Sequence, residues 1–94
     1  MTEDALRKLA RRWEDRVPDL YGEWTHWWIE GDGGFLAVIP GEDLAGVVQV
    51  VRENWERFES IYVHRARVDS LGAPSRQDHR VEVANRLSNS RCAT

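Results

Sequence analysis

The chain has 94 residues with 13 basic and 16 acidic side chains, which give a formal net charge of −3 at pH 7. This length suits one domain rather than two, and the charge balance argues against the strongly basic field that nonspecific phosphate binding requires. We expect a cytoplasmic protein, because no apolar run approaches the ~20 residues that span a bilayer and the N-terminus lacks the basic and apolar regions of a signal peptide.

The first predicted element is a helix over residues 3–17. Its apolar side chains recur with the period of one helical face: Leu6, Leu9, Ala10, Trp13 and Val17. Thr2 is suited to cap the helix, and Glu3 and Asp4 suit the positive end of its dipole. Pro18 ends the helix because the residue before a proline avoids helical backbone angles.

A β-hairpin is predicted next, from strands at 24–30 and 35–39. The Asp-Gly pair at residues 32 and 33 predicts a two-residue type I′ turn, which places Gly31 opposite Gly34. Continued regularly, this register pairs Ile29 with Leu36, Trp28 with Ala37, Trp27 with Val38 and His26 with Ile39. A slip of one residue would exchange the faces of every side chain in the shifted strand.

A second helix is predicted over 40–58, since a 3.6-residue period continues through four turns in Leu44, Val47, Val48, Val51, Trp55 and Phe58. Glu42 and Asp43 give it an acidic start. A strand at 59–68 follows, because its residues divide with a period of two between two faces. One face of that strand carries Ile61, Val63, Arg65 and Arg67, and the other carries Tyr62, His64, Ala66 and Val68.

The segment 76–88 fits either a strand or a capped helix, and the strand is slightly favoured. The predicted order is therefore α-β-β-α-β-β, with the last element open to being α. This order indicates an α+β fold, in which two helices pack on one face of a small, mostly antiparallel sheet. We expect one globular domain over 1–88 and a frayed tail at 89–94.

No motif for nucleotide binding or catalysis is present. The glycines at 31–34 lack the Lys-Ser/Thr of a P-loop, and the three histidines have no metal-ligand spacing. We therefore predict no catalytic residue, no metal and no cofactor. A small enzyme or ligand-binding domain around His26, His64 and Tyr62 is kept as a lesser alternative.

The predicted register separates the hairpin tryptophans into two faces. Trp27 and Ile29 belong to the more continuously apolar face, which we assign to the helices. The opposite face carries the candidate binding residues Trp24, His26, Trp28, Glu30 and Phe35. An aromatic patch with polar neighbours is typical of a protein interface. Three alternatives stay open: the helices cover this face instead, the chain curls and buries both faces, or the patch joins two copies of the chain.

The favoured function is a non-enzymatic module that occupies a surface on a larger protein, as an inhibitor, adaptor or antitoxin-like protein does. A phage- or mobile-element-encoded blocker of a host defence complex is one context that fits, although no motif specifies it. The alternative is a nucleic-acid-binding domain, whose contacts would be Arg7, Lys8, Arg11, Arg12 and Arg16 on the first helix, with Arg65 and Arg67 on the third strand.

Overall fold

The computed structural model of the chain describes residues 2–16, 24–77 and 80–86. The elements within them are α1 (Glu3–Arg16), β1 (His26–Gly31), β2 (Gly34–Pro40), α2 (Leu44–Asn54), β3 (Ser60–Val68), β4 (Pro74–Arg76) and β5 (Val81–Asn85). The predicted α+β class is confirmed, and β4 is an additional strand beyond the predicted order α-β-β-α-β-β. None of the described helices has the length and apolarity needed to cross a membrane. The predicted tail and the predicted end of the first helix at Pro18 lie outside the described residues.

Helix α1 begins where the sequence predicts. The Thr2 hydroxyl accepts a hydrogen bond from the backbone N–H of Ala5 at 3.2 Å, which satisfies one of the free donors of the first turn. The apolar stripe is directed into the core, with Leu6 and Trp13 each only 1% exposed.

Helix α2 is shorter than the predicted helix over 40–58. Asp43 caps its start, where the carboxylate accepts a hydrogen bond from Gly46 N at 3.0 Å. At the other end, the Asn54 side chain donates to the carbonyl of Val50 at 2.7 Å and competes with the backbone ladder there. Trp55 therefore follows in a turn, although it still packs against the core.

The strands form one antiparallel sheet in the order β2-β1-β3-β4, and β5 also pairs with β3. The favoured interpretation of the segment after residue 76 as a strand is therefore confirmed for β5. Both described helices pack on one face of the sheet, against a core of buried side chains from the two central strands: Trp27, Ile29, Ile61 and Val63.

The predicted hairpin register is correct only beside the turn. Gly31 lies opposite Gly34, but the register shifts between Ile29 and Glu30, so that Trp28 faces Val38 and Trp27 faces Ile39. Among the described residues, only Gly34 and Gly72 have positive φ, so the turn is not type I′. Type II′, the other turn that matches the twist of the flanking strands, requires positive φ at Asp32 and is excluded too. A bulge in β2 accommodates the resulting mismatch. Ile39 rather than Val38 consequently shares the helix-facing side with Trp27.

Each edge of the sheet contains an irregularity. In β2, Leu36 is the extra residue of the bulge, and in β5 Val83 is extra, because Tyr62 pairs with Glu82 while Ile61 pairs with Ala84. Bulges are a common protection of edge strands against pairing with other chains. This sheet is therefore poorly suited to growing by the addition of a strand, which directs attention to the sheet face opposite the described helices.

Candidate functional site

The sheet face opposite α1 and α2 is called the open face below. Alternate residues of the central strands form it, and the pairing places Trp28 opposite His64 and Glu30 opposite Tyr62. The residues of the open face are His26, Trp28, Glu30, Phe35, Val38, Tyr62, His64, Ala66 and Arg76.

An aromatic pair occupies the β1–β2 half of the open face. The rings of Trp28 and Phe35 lie 4.8 Å apart at 60°, a favourable edge-type geometry. Trp28 is half-buried, whereas Phe35 is 55% exposed. Phe35 stays on this face because it pairs with Glu30, on the turn side of the bulge.

A charged cluster lies beside the aromatic pair. His64 Nε2 donates a 2.5 Å hydrogen bond to the Glu30 carboxylate, and Arg76 Nη1 lies 3.2 Å from its other oxygen. The His64 side chain is 5% exposed and that of Glu30 is 17% exposed, while Arg76 is 44% exposed. The cluster therefore presents one accessible cation above a largely buried acid–base pair.

The pKa of Glu30 lies below its usual value of 4.5. Burial alone raises this pKa, but hydrogen bonding from His64 and the charges of His64 and Arg76 together outweigh the burial. The indole N–H of Trp28 also favours the charged carboxylate, although its geometry falls short of a full hydrogen bond. Glu30 is therefore an anion at neutral pH, held by three neighbouring side chains.

Polar and charged side chains on the open face and at its margin are engaged in contacts within the fold. His64 uses Nε2 for Glu30, and its Nδ1 is buried without a hydrogen-bond partner. The Ser60 hydroxyl is buried and accepts a hydrogen bond from Asn85 at 3.1 Å. The guanidinium of Arg80 lies 3.6 Å from the centre of the Tyr62 ring. An imidazole with both nitrogens withdrawn from solvent is poorly placed to transfer protons to a substrate.

The structure brings together three of the five residues predicted to bind a partner: Trp28, Glu30 and Phe35. Trp24 lies instead with the core tryptophans, 5.2 Å from the ring of Trp13 and 5.0 Å from that of Trp27. His26 is half-buried at one end of the open face, and its ring bonds to the Thr25 hydroxyl at 2.7 Å. Trp24 is therefore part of the support for the sheet.

The basic residues predicted to contact nucleic acid do not all reach the surface. Arg65 faces the core opposite Trp27 and is only 1% exposed, because β3 places odd-numbered residues toward the helices. Arg67 is exposed. On α1, Arg7, Lys8, Arg11 and Arg12 are exposed, and Arg7 pairs with Asp4 at 3.0 Å. The side chain of Arg16 lies outside the description.

Sequence reasoning did not place Arg76 in the site, and it gave His64 only an alternative role. One feature of the sequence indicated that Glu30 needs partners such as His64 and Arg76, since Glu30 is a lone carboxylate on an otherwise apolar and aromatic strand. A carboxylate on such a strand needs cationic or hydrogen-bonding neighbours if it is partly buried. His64 was on the matching face of β3, but the pairing of β4 with β3 was needed to locate Arg76.

Comparison of the chain with protein-family models finds no match, and neither the curated proteins nor the solved structures contain one. Within the described ranges, no group of three or more His, Cys, Asp or Glu side chains is arranged to hold a metal ion. His79 and Cys92 lie outside those ranges. The site is therefore interpreted from its own geometry.

Proposed function

We propose that the protein is a non-enzymatic binding module that docks on a larger protein through the open face. The observation that carries this proposal is the Trp28–Phe35 pair beside the Glu30–His64–Arg76 cluster. Interface cores are rich in aromatic residues and arginine, and their rims are polar. Phe35 supplies the exposed apolar anchor, and Arg76 supplies an oriented charge.

The rigidity of the site supports the same role. Trp28 and Glu30 lie on a central strand that is paired on both sides, and the buried bond to His64 joins that strand to the next. A pre-organised surface loses little conformational entropy on binding. Inhibitors, adaptors and antitoxin-like proteins all act through such surfaces, and the identity of the captured partner distinguishes among them.

The test is affinity capture from a native lysate with the tagged protein as bait, followed by mass spectrometry. The informative variant is Phe35→Asp, which places a charge at the exposed anchor without touching the core. Its matched control is Leu71→Asp, because Leu71 is 91% exposed in the loop between β3 and β4, away from the aromatic pair.

The expected result is a partner that the parent chain and Leu71→Asp capture and that Phe35→Asp loses. Circular dichroism must show that both variants are folded. Capture of the same partner by Phe35→Asp at the level of the parent chain would show that the open face is not the docking surface.

The nucleic-acid alternative now depends on α1 and Arg67 alone, since Arg65 is buried. Its signature is an affinity for oligonucleotides that falls steeply with salt. Fluorescence anisotropy with a labelled single strand at low and high salt separates the two functions. Phe35→Asp leaves such binding unchanged if the basic face of α1 is responsible.

A further inference from the structure

A second surface lies on the helix-bearing side of the sheet, between α1 and the edge strand β5. It is a cleft of about 340 Å³ with an apolar floor formed by Leu6 and Leu9 of the helix and by Val81 and Val83 of the strand. This volume is at the lower end of the range typical of ligand pockets. The cleft is separate from the open face, because α1 packs on the opposite face of the sheet.

The bulge in β5 contributes directly to the cleft. Consecutive residues of β3 pair with Val81, Glu82 and then Ala84 of β5. Val83 has no partner in this series and is therefore the additional residue of the bulge. Bulges commonly redirect a side chain at a sheet edge. Here Val83 is half-buried in the cleft wall rather than packed fully into the core.

Cations form the rim of the cleft on the helix side. Lys8 and Arg12 both line it and are both exposed. The lining also includes one exposed acidic residue, Glu82 of β5, whose carboxylate accepts a hydrogen bond from Asn85 at 3.4 Å. The helix wall of the cleft is consequently positive, within a chain whose net charge is negative.

We propose that this cleft binds a short, extended, acidic segment of a partner protein, with carboxylates at Lys8 and Arg12 on the helix side and apolar side chains against Val81 and Val83 on the strand side. The spacing of the cations supports this occupant. Residues four apart on a helix are separated by about 6 Å along its axis, and alternate residues of an extended chain by about 6.6 Å. The recognised pattern is therefore acidic–apolar–acidic.

The experiment is selection of binders from a random peptide library displayed on phage, with the immobilised full chain as target. The expected consensus has Asp or Glu at alternate positions, with aliphatic residues between them. A selected peptide is then labelled with fluorescein, and its dissociation constant is measured by anisotropy. The double variant Lys8→Glu plus Arg12→Glu is expected to weaken binding about tenfold or more, equivalent to ~1.4 kcal/mol.

The matched control is Arg11→Glu, an exposed position on the same helix that does not line the cleft. It and Phe35→Asp on the open face are expected to leave the dissociation constant within about twofold of the parent value, less than ~0.5 kcal/mol. Val83→Glu is expected to abolish binding, and the amide signals of Ala5, Leu9 and Val81 are expected to shift in NMR spectra on peptide addition.

Several results would overturn the proposal. One is a selected consensus without acidic residues, and another is an equal loss of affinity in Arg11→Glu. Displacement of the peptide by an oligonucleotide would assign the cations to phosphate binding instead. If only Phe35→Asp lost affinity for the peptide, the peptide would bind the open face and not the cleft. The cleft proposal can therefore fail independently of the proposed docking function.

Discussion

Glu30 and His64 form a carboxylate–imidazole pair that joins the two central strands on the face away from the helices. The two residues are diagonal neighbours, since Glu30 lies directly opposite Tyr62 and His64 directly opposite Trp28. The bond thus ties the aromatic half of the open face to its charged half. Arg76 extends the same connection to β4.

Glu30→Gln is expected to reduce the free energy of unfolding by about 1 kcal/mol at neutral pH, because a charge-assisted hydrogen bond becomes a neutral one. The pKa of Glu30 is lowered in the folded state, so its stabilisation is present above the unfolded value of 4.5 and is lost as pH falls through the folded value. The difference between parent and variant should therefore shrink below about pH 4.5. Urea unfolding at neutral and acidic pH measures this.

The control for that experiment is Glu42→Gln, an exposed carboxylate in the connection between β2 and α2. Its effect on unfolding at neutral pH should be small, because this carboxylate is exposed. If the difference in the free energy of unfolding between Glu30→Gln and the parent chain stays constant into the acid range, the Glu30 charge does not stabilise the fold.

Gly31→Ala is expected to destabilise the protein by about 1–3 kcal/mol through overpacking. The reason is steric, because the added Cβ would lie 2.7 Å from Cε1 of the Phe58 ring and closer still to neighbouring ring atoms. Gly33→Ala is the matched control, since its Cβ would be 3.9 Å from the same ring, an ordinary contact. Urea unfolding compares the two variants.

Phe58→Leu provides an independent check on that cause. In the double variant with Gly31→Ala, the smaller side chain should recover part of the loss, which a double-mutant cycle detects as coupling. Strict additivity would mean that the ring of Phe58 does not limit residue 31.

The sequence periodicities predicted most of the fold. Both apolar stripes face the core, and the alternation in β3 correctly divided its side chains between the two faces, although it did not show that Arg65 faces the core. The hairpin register failed beyond Glu30 because a bulge depends on the balance of turn and strand twist, which residue patterns do not express. As a result, Val38 and Ile39 lie on the opposite faces of the sheet from those that the regular register predicts.

The candidate site was less predictable than the fold. Trp28 and Phe35 were assigned together because Trp28 shares a face of β1 with Glu30, and the predicted pairing of Glu30 with Phe35 lies close to the turn, where the register is correct. Trp24 was assigned with them by alternation, although it precedes β1 and packs against Trp13 instead. Such a contact depends on how α1 crosses the sheet, and helix packing geometry is set by tertiary structure rather than by local spacing.

Arg65→Met is expected to leave the free energy of unfolding unchanged or to raise it. The guanidinium is buried on the core face, and its Nε has no hydrogen-bond partner, so the fold bears the cost of removing a charge from water. Methionine has a similar length and no charge to desolvate. Thermal and urea unfolding measure the change, and Arg67→Met serves as the exposed comparison. A clear loss of stability in Arg65→Met would show that the buried charge is required by the fold.

Trp27→Phe and Trp28→Phe are expected to differ strongly in their loss of unfolding free energy, although the two residues are adjacent. Trp27 is fully buried, and its indole N–H donates to the carbonyl of Gly41 at 3.0 Å. Its replacement leaves a cavity and an unpaired carbonyl, at a cost of about 2–3 kcal/mol. Trp28→Phe is expected to cost less than about 1 kcal/mol, because Trp28 is half-buried on the open face. Urea unfolding followed by circular dichroism avoids the change in tryptophan fluorescence. Equal losses in the two variants would contradict the assignment of one indole to the core and the other to the open face.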